Sequence, residues 1–205
     1  MLSPETESAP IFEEIIGSII VVRFSRPSQK NTLSIETINA LVATLSRLKN
    51  SSSLKAVIFT GTADAFASGA DIQELAGLDS SQAHKFSRRG QQLTNEIANL
   101  DQVTIAAING FCMGGGLDFA LACDIRVASK SAVFAHPGSK LGIITGWGGT
   151  QRLPRLIGKS RALELFSTAR RFSSEEALKA GLITKIADPV FEAAIEIANK
   201  SISTS

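Results

Sequence analysis

The chain has 205 residues, of which 44% are hydrophobic and 20% are charged, a composition that is typical of globular proteins and excludes an intrinsically disordered chain. Its 21 basic and 19 acidic side chains leave a net charge of +2, too balanced to draw the protein onto nucleic acid or an anionic membrane. The only cysteines are Cys112 and Cys123, and no His/Cys cluster has the spacing of a zinc site. We therefore expect reduced thiols, no metal and no disulfide framework.

The amino terminus does not resemble a targeting segment. The first ten residues carry two glutamates and no Lys or Arg, so we expect a cytoplasmic protein in which residues 1–10 are disordered. The longest uncharged stretch, 103–117, is shorter than the roughly 20 residues of a membrane-spanning helix. Since no repeat or linker divides the chain, residues 1–205 are predicted to form one domain.

The first half of the chain shows alternating strand and helix patterns. Two short β-branched runs around Gly17-Ser18 predict a hairpin over residues 11–24. After Ser34, a candidate N-cap, apolar residues recur at intervals of three and four and predict one buried helix face. These residues are Ile38, Leu41, Leu45 and Leu48. The apolar runs 55–60 and 103–108 are typical of strands buried on both faces, and a second helical period lies between them, behind Asp79.

The second half of the chain is mainly helical. A third short run, 124–128, follows a glycine-rich segment, so strands and helices alternate as in an α/β domain. Four further helices are predicted, at 149–157, 159–168, 174–180 and 189–200. The last of these begins a C-terminal helical region over 189–205.

Two segments, 65–72 and 109–118, place small residues just past a strand end. The consecutive glycines 114–116 permit unusual backbone angles and let a ligand approach the main chain. They precede a helix whose first N–H groups lack internal partners. These features indicate an anion or oxyanion receptor, and a tight packing turn is the alternative interpretation.

Several ordered motifs occur together along the chain. They are Arg26-Pro27 with Asn31 and Leu33, FTGTADAFASGADI (59–72), AAINGFCMGGGLDFALACDIRVAS (106–129), GWGGTQRLPRLIG (146–158) and EEALKAGLI (175–183). In these motifs the chain resembles the crotonase, or enoyl-CoA hydratase/isomerase, superfamily from about residue 11 to its end. The resemblance implies an α/β fold, a crotonase/ClpP-like spiral of ββα units with C-terminal helices, the C-terminal part being shorter than is usual for the family.

The resemblance also implies a function. Members bind an acyl-coenzyme A thioester as substrate, without a tightly bound cofactor, and assemble as homotrimers or hexamers. Matching the motifs places the two backbone N–H donors of the oxyanion hole at Ala70 and Gly115. Such donors stabilise the negative charge that grows on the thioester oxygen in an enolate-like transition state.

Two acidic positions of the hydratase branch map onto Asp118 and Gly138. Asp118 would lie on the first helical turn and face the thioester, and a helix-capping role is the alternative. Gly138 has no proton to give, so the two-carboxylate hydration mechanism is incomplete. In the dihydroxynaphthoyl-CoA synthase branch, glycine at this position accompanies a bound bicarbonate, and by resemblance we expect an anion or water near Gly138.

Other side chains near this motif offer limited compensation. The dienoyl-CoA isomerase and dehalogenase branches need an aspartate where this chain has Gly146. His136 lies two positions before Gly138 and could transfer protons, although a hydrogen-bonded structural role is the favoured interpretation. His84 is expected to face solvent.

The coenzyme A moiety is expected along the loop before Ala70. By resemblance, Ser68, Asp71 and Ile72 offer backbone contacts, and Lys30 matches a basic position that meets phosphate. Gln73 stands where the family often has lysine, so one phosphate contact is expected to be lost.

Three alternatives to an enoyl-CoA hydratase stay open at this point. One is a different enolate reaction, such as isomerisation, decarboxylation or an anion-assisted reaction. Another is a non-catalytic acyl-CoA-binding protein, which the glycine at 138 and the early end of the chain suggest. A ClpP-like serine peptidase is disfavoured, because the glycine loop presents Cys112-Met113 rather than a nucleophilic serine.

Overall fold

The computed structural model describes residues 9–203. Of the predicted disorder over residues 1–10, the part up to residue 8 lies outside the described residues. Pro10 is described, and its carbonyl accepts a hydrogen bond from the Ser25 amide at 3.1 Å. Within 9–203, no helix combines the length and apolarity that crossing a membrane requires.

The described chain consists of short strands that alternate with helices. The strands are β1 (Ile11–Ile16), β2 (Ile19–Phe24), β3 (Thr32–Leu33), β4 (Ala56–Thr60), β5 (Ala65–Ala67), β6 (Gly69–Ala70), β7 (Val103–Ile108), β8 (Phe111–Met113), β9 (Ile125–Ala128), β10 (Val133–Ala135), β11 (Phe172–Ser173) and β12 (Lys185–Ile186). The helices are α1 (Ile35–Leu48), α2 (Ile72–Ala76), α3 (Ser80–Ala98), α4 (Gly115–Ala122), α5 (Gly149–Ile157), α6 (Lys159–Thr168), α7 (Ser174–Lys179) and α8 (Val190–Ser203). Short 3-10 helices lie at Pro27–Gln29 and Pro137–Leu141.

The strands form three sheets that are built up turn by turn. A six-stranded sheet has the order β1-β2-β4-β7-β9-β12, and a four-stranded sheet has the order β11-β10-β8-β5. Three successive pairs, β4 with β5, β7 with β8 and β9 with β10, each contribute their first strand to the six-stranded sheet and their second to the four-stranded sheet, and helical segments separate the pairs. The strands β3 and β6 form a separate parallel pair. This repetition confirms the spiral of ββα units that the resemblance implied.

The predicted longer elements agree with the structure to within a few residues. The hairpin over 11–24 is present, with Ile16 paired to Ile19 beside the Gly17-Ser18 turn. The helix α1 begins after Ser34, whose side chain accepts a hydrogen bond from the Thr37 amide, as expected of an N-cap. The helix α3 begins with a full capping box between Asp79 and Gln82. The strands of two or three residues were not predicted individually.

A cluster of four phenylalanine rings lies at the centre of the core. Phe119 on α4 makes edge-to-face contacts with Phe24 at 5.4 Å and with Phe59 at 4.9 Å between ring centroids. Phe66 packs against the rings of Phe24 and Phe119. All four rings are buried, and edge-to-face packing is favourable beyond the area it buries. Because Phe119 follows Asp118 directly, this cluster fixes the position of the first turn of α4.

We predict that Phe119→Ala lowers the free energy of unfolding by about 3–5 kcal/mol, the usual cost of a large cavity in a rigid core. The matched control is Phe12→Ala on the edge strand β1, where the ring is 58% exposed and the expected change is within about 0.5 kcal/mol. Urea unfolding measures both values. Equal effects of the two substitutions would contradict the assignment of the core.

Candidate active site

Two glycine-containing segments, called here the glycine turns, lie against each other. One spans residues 68–71 around β6, and the other spans residues 113–115 between β8 and α4. In one, Gly69 has a φ of +99°, and in the other, Gly114 has a φ of +50°, conformations that L side chains rarely adopt. A Cβ atom at residue 69 would lie 2.9 Å from the Gly115 nitrogen and 2.8 Å from the Met113 carbonyl oxygen. The two backbones therefore approach more closely than any side chain at 69 would allow. The packing-turn interpretation and a ligand-facing turn are both compatible with this contact.

The glycines at the start of α4 are enclosed by their neighbours. A Cβ atom at Gly115 would lie 2.5 Å from the Trp147 ring, and one at Gly116 would lie 2.2 Å from the Ala67 carbonyl oxygen. Trp147 also packs against Gly90 of α3, where an added Cβ would lie 2.2 Å from the indole. The Gly115 amide is at the first helical position, where no intrahelical acceptor exists. The start of α4 is therefore fixed between the main chain of residues 67–69 and the indole of Trp147.

A cavity of about 260 Å³ adjoins both turns. Six of the predicted site residues line it, namely Ser68, Ala70, Ile72, Gly115, Asp118 and Gly138. The structure thus brings together the predicted oxyanion donors, the acid and the residue that replaces the second acid. Among the described residues that line this cavity, Asp118 is the only acidic one.

Asp118 lies in the first turn of α4 and is fully buried. The Thr145 hydroxyl donates a hydrogen bond to Asp118 Oδ2, whereas Oδ1 has no hydrogen-bond partner among the described residues. Burial raises the pKa of this carboxyl to about 7, although the Thr145 hydroxyl, backbone N–H groups and the Arg152 guanidinium partly oppose that rise. The capping interpretation is wrong, because Gly114 occupies the N-cap and α4 has no side-chain cap.

His136 is a second buried titratable group beside Asp118. Its Nε2 lies 3.5 Å from Asp118 Oδ1, and neither ring nitrogen is hydrogen-bonded within residues 9–203. The expectation of a hydrogen-bonded structural histidine is therefore wrong, since the ring is held by packing, 5.0 Å from the Phe166 ring between centroids. Burial lowers the pKa of this imidazole to about 4.

The surroundings of Gly138 bear on the predicted anion. A Cβ atom at this residue would lie 2.7 Å from the Ile143 carbonyl oxygen. The main chain of Ile143 therefore occupies the space that an acidic side chain at residue 138 would need. The Ile143 amide also donates to the Gly138 carbonyl at 3.0 Å. An anion beside Gly138 stays a prediction, and the partial negative charge of the Ile143 oxygen disfavours it on that side. A Cβ at Gly146 would in turn lie 2.8 Å from Ser87 Oγ, so an aspartate there would require a shift.

An open cleft of about 810 Å³ lies next to the first cavity and shares Ser68 and Pro137 with it. Four basic side chains line the cleft, namely Lys30, Lys140, Arg170 and Arg171. Two of them have acidic partners: Lys30 Nζ lies 2.7 Å from Asp64, and Arg170 Nε lies 2.6 Å from Glu164. The Arg171 guanidinium lies 5.7 Å from the centre of the Phe111 ring.

The remaining predicted residues lie outside both cavities. Asp71 caps α2 by accepting a hydrogen bond from the Gln73 amide at 2.8 Å, and Gln73 itself is exposed. His84 is exposed, as expected.

Sequence patterns missed several residues that line the two cavities. They include Thr145 and Trp147 of the first, and Lys140, Arg170 and Arg171 of the second. The only available signal for the first two was their place in or beside the GWGGT motif, because their contacts join segments that are far apart in the chain.

Comparison with known proteins gives consistent results. A family profile described as Enoyl-CoA hydratase/isomerase matches residues 14–205. The chain is 39% identical over 192 residues to the short-chain-enoyl-CoA hydratase of Clostridium acetobutylicum, covering 92% of this chain and 74% of that one. Its fold matches a crystal structure of the enoyl-CoA hydratase from Bacillus anthracis with a TM-score of 0.90 at 38% identity, over 93% and 76% of the two chains. A structure of Pseudomonas aeruginosa DspI matches with a TM-score of 0.92 at 31% identity, over 100% and 85%.

The raised pKa of Asp118 predicts how stability depends on pH. The folded state holds this proton up to about pH 7, whereas the unfolded chain releases it near pH 3.8. Between these values the folded state binds more protons, so this group's contribution to stability is lost as the pH rises. His136 contributes with the opposite sign, because its folded pKa is lowered.

Asp118→Asn removes the first contribution alone. Relative to the wild type, its free energy of unfolding should increase by about 1 kcal/mol per pH unit between about pH 4 and pH 7. Parallel urea titrations at several pH values measure this difference. A difference that is independent of pH would show that Asp118 ionises normally in the folded protein.

Proposed function

Since the chain belongs to the enoyl-CoA hydratase/isomerase family, we propose that it binds an acyl-CoA thioester at the cavity beside Gly115 and stabilises the thioester enolate there. The observation that carries this proposal is the contact between the two glycine turns, with Ala70 and Gly115 lining one cavity. In this assignment the thioester oxygen accepts hydrogen bonds from the amides of Ala70 and Gly115. Removing one such donor costs about 10²–10³ in rate in enzymes where it has been measured.

The first candidate reaction is addition of water to an enoyl thioester, with Asp118 as the acid and base. The carboxylate is buried, lines the cavity and lies at the amino end of α4. A pKa of about 7 lets it exist in both protonation states at neutral pH, which suits a group that takes up and returns a proton. Ile72, Leu141, Ile143 and Ile144 give the same cavity an apolar side for the acyl chain.

The second candidate reaction is isomerisation of the double bond. The single acidic side chain at the cavity favours it, because one base that removes a proton from one carbon and returns it to another completes the reaction. Product analysis by liquid chromatography and mass spectrometry separates the two reactions, since hydration adds the mass of water and isomerisation changes the retention time at unchanged mass. A non-catalytic binding protein would give neither product.

The basic cleft supports the proposed site for the nucleotide of coenzyme A. Its lining carries four cationic side chains and continues from the cavity through Ser68 and Pro137. Phosphates are attracted by such a concentration of positive charge. We place the pantetheine arm between the two cavities and the phosphates near Lys140 and Arg171. The predicted contacts of Lys30, Asp71 and Gln73, and assembly into trimers or hexamers, remain proposals.

We predict that Asp118→Ala lowers kcat with a short enoyl-CoA by about 10²–10⁴-fold, the usual contribution of a positioned acid or base. The dissociation constant of the thioester should change little, because the backbone donors are retained. The matched control is Asp101→Asn, an exposed acid that should keep wild-type kcat. Stopped assays of product formation and calorimetric binding give the two quantities. Retention of full turnover without the Asp118 carboxyl would refute its assigned role.

The cleft gives a separate prediction. The double substitution Lys140→Ala with Arg171→Ala should raise KM for an enoyl-CoA several-fold and leave KM for the matching pantetheine thioester, which lacks the nucleotide, unchanged. The control is Lys179→Ala, an exposed lysine on α7 that is absent from the cleft. The increase should become smaller at high salt, because exposed charges are screened. An equal increase in KM for both substrates would show that the nucleotide of coenzyme A does not bind in this cleft.

A further inference from the structure

The pair formed by Asp118 and His136 contains three buried polar atoms without partners. Asp118 Oδ1 and both ring nitrogens of His136 are covered by protein and make no hydrogen bond within the described residues. Leaving a buried polar atom unpaired is costly, and native structures contain few such atoms. Nε2 and Oδ1 lie 3.5 Å apart, so a shift of about 0.5 Å brings them to an ordinary hydrogen-bond distance. This hydrogen bond would give two of the three atoms a partner in the ligand-free protein.

In the proposed hydration reaction, the Asp118 carboxyl transfers a proton twice. In hydration, the Asp118 carboxylate takes a proton from water as the water oxygen bonds to the β-carbon and the π electrons move into the thioester enolate. The resulting carboxylic acid then donates that proton to the α-carbon as the enolate electrons return, which restores the carboxylate. With no carboxyl at residue 138, one group performs both transfers, so both of its protonation states must be tolerated in a buried site.

We propose that His136 is the positioning residue of Asp118: Nε2–H of the neutral imidazole donates to Oδ1, and this hydrogen bond holds the carboxyl in place in both protonation states. The inference rests on the proposed function for the direction of the proton transfers. Its geometric basis, the burial of the pair and its unpaired atoms, does not depend on the substrate.

Other groups also act on the Asp118 carboxyl. The Thr145 hydroxyl donates to Oδ2, and the backbone N–H groups of Trp147 and Gly149 and the Arg152 guanidinium on α5 favour the ionised form. The Cys112 thiol on β8 is buried near the carboxyl. Burial raises the pKa of the Cys112 thiol far above its ordinary value, so it stays neutral. Since these groups remain when residue 136 is substituted, a change of the Asp118 titration that occurs in a variant without an N–H donor at 136, and not in one that keeps the donor, reports on Nε2.

The test compares three variants with the wild type in the ligand-free protein. His136→Leu removes the donor, His136→Gln keeps an N–H donor that does not titrate, and Phe166→Leu loosens the packing of the imidazole while leaving Nε2 intact. The midpoint of Asp118 is measured by NMR of the ¹³C-labelled carboxyl, with Asp118→Asn to assign the signal. Losing a hydrogen bond to the charged form should raise the midpoint in His136→Leu by about one pH unit. The midpoint should stay near the wild-type value in His136→Gln and in Phe166→Leu.

The kcat–pH profile with an enoyl-CoA is the second readout. A midpoint that moves from about 7 to about 8 lowers the carboxylate fraction at pH 7 about fivefold, so kcat of His136→Leu should fall by that factor and recover above about pH 9. A midpoint that is unchanged in His136→Leu, or that moves equally in all three variants, overturns the inference. Because the NMR titration needs no substrate, a midpoint that moves only in His136→Leu, in a protein without turnover, supports the pair and overturns the proposed function. Turnover in a protein whose Asp118 midpoint does not move in His136→Leu supports the proposed function and overturns the inference about His136.

Discussion

The close approach of two strand–helix turns is the constraint on which the rest of the site depends. Gly69 and Gly115 meet so closely that a Cβ atom on residue 69 would lie 2.9 Å from the Gly115 nitrogen. Trp147 closes the other side of the same helix start and leaves no room for a side chain at 115. A main-chain donor enclosed in this way needs no reorganisation when negative charge develops on a ligand, which is the source of electrostatic stabilisation in such sites. The core beneath, with Phe119 at its centre, holds α4 against both sheets.

The burial of Asp118 is the second important feature, and it opposes stability. A carboxyl without full solvation favours its neutral form, so burial raises the pKa of Asp118 to about 7. The neighbouring imidazole of His136 has no hydrogen-bond partner within residues 9–203. Groups that cost stability in the ligand-free protein are typical of functional sites. The same burial that raises this pKa makes the carboxyl able to exchange a proton near neutral pH. Structure and proposed chemistry are thus consistent at this residue.

Much of the fold could be predicted from the sequence, because long elements carry their own signals. The apolar period and the Ser34 cap located α1, and the β-branched runs located the hairpin of β1 and β2. The strands β5, β6 and β8 have only two or three residues, too few for periodicity to be visible, yet they carry the two turns of the site. Their position came from the motifs of the resembling family rather than from local patterns.

The motifs named the residues of the candidate site, while the contacts between those residues were not predicted. Ala70, Gly115 and Asp118 line one cavity, and their roles there stay predictions. The environment of the His136 nitrogens, which have no partner in the described part of the chain, and the Ile143 carbonyl near Gly138 depend on long-range packing, which no sequence spacing specifies. The charged lining of the second cleft likewise joins residues 30, 140 and 171 across the fold. Sequence identifies such residues only after the fold has placed them together.

A crystal structure with a bound acyl-CoA thioester tests the central claim most directly. The account predicts that the thioester oxygen lies about 3 Å from the main-chain nitrogens of both Ala70 and Gly115. It would be contradicted by an oxygen that contacts neither nitrogen, or by amides at 70 and 115 that are already bonded to main-chain acceptors of their own chain.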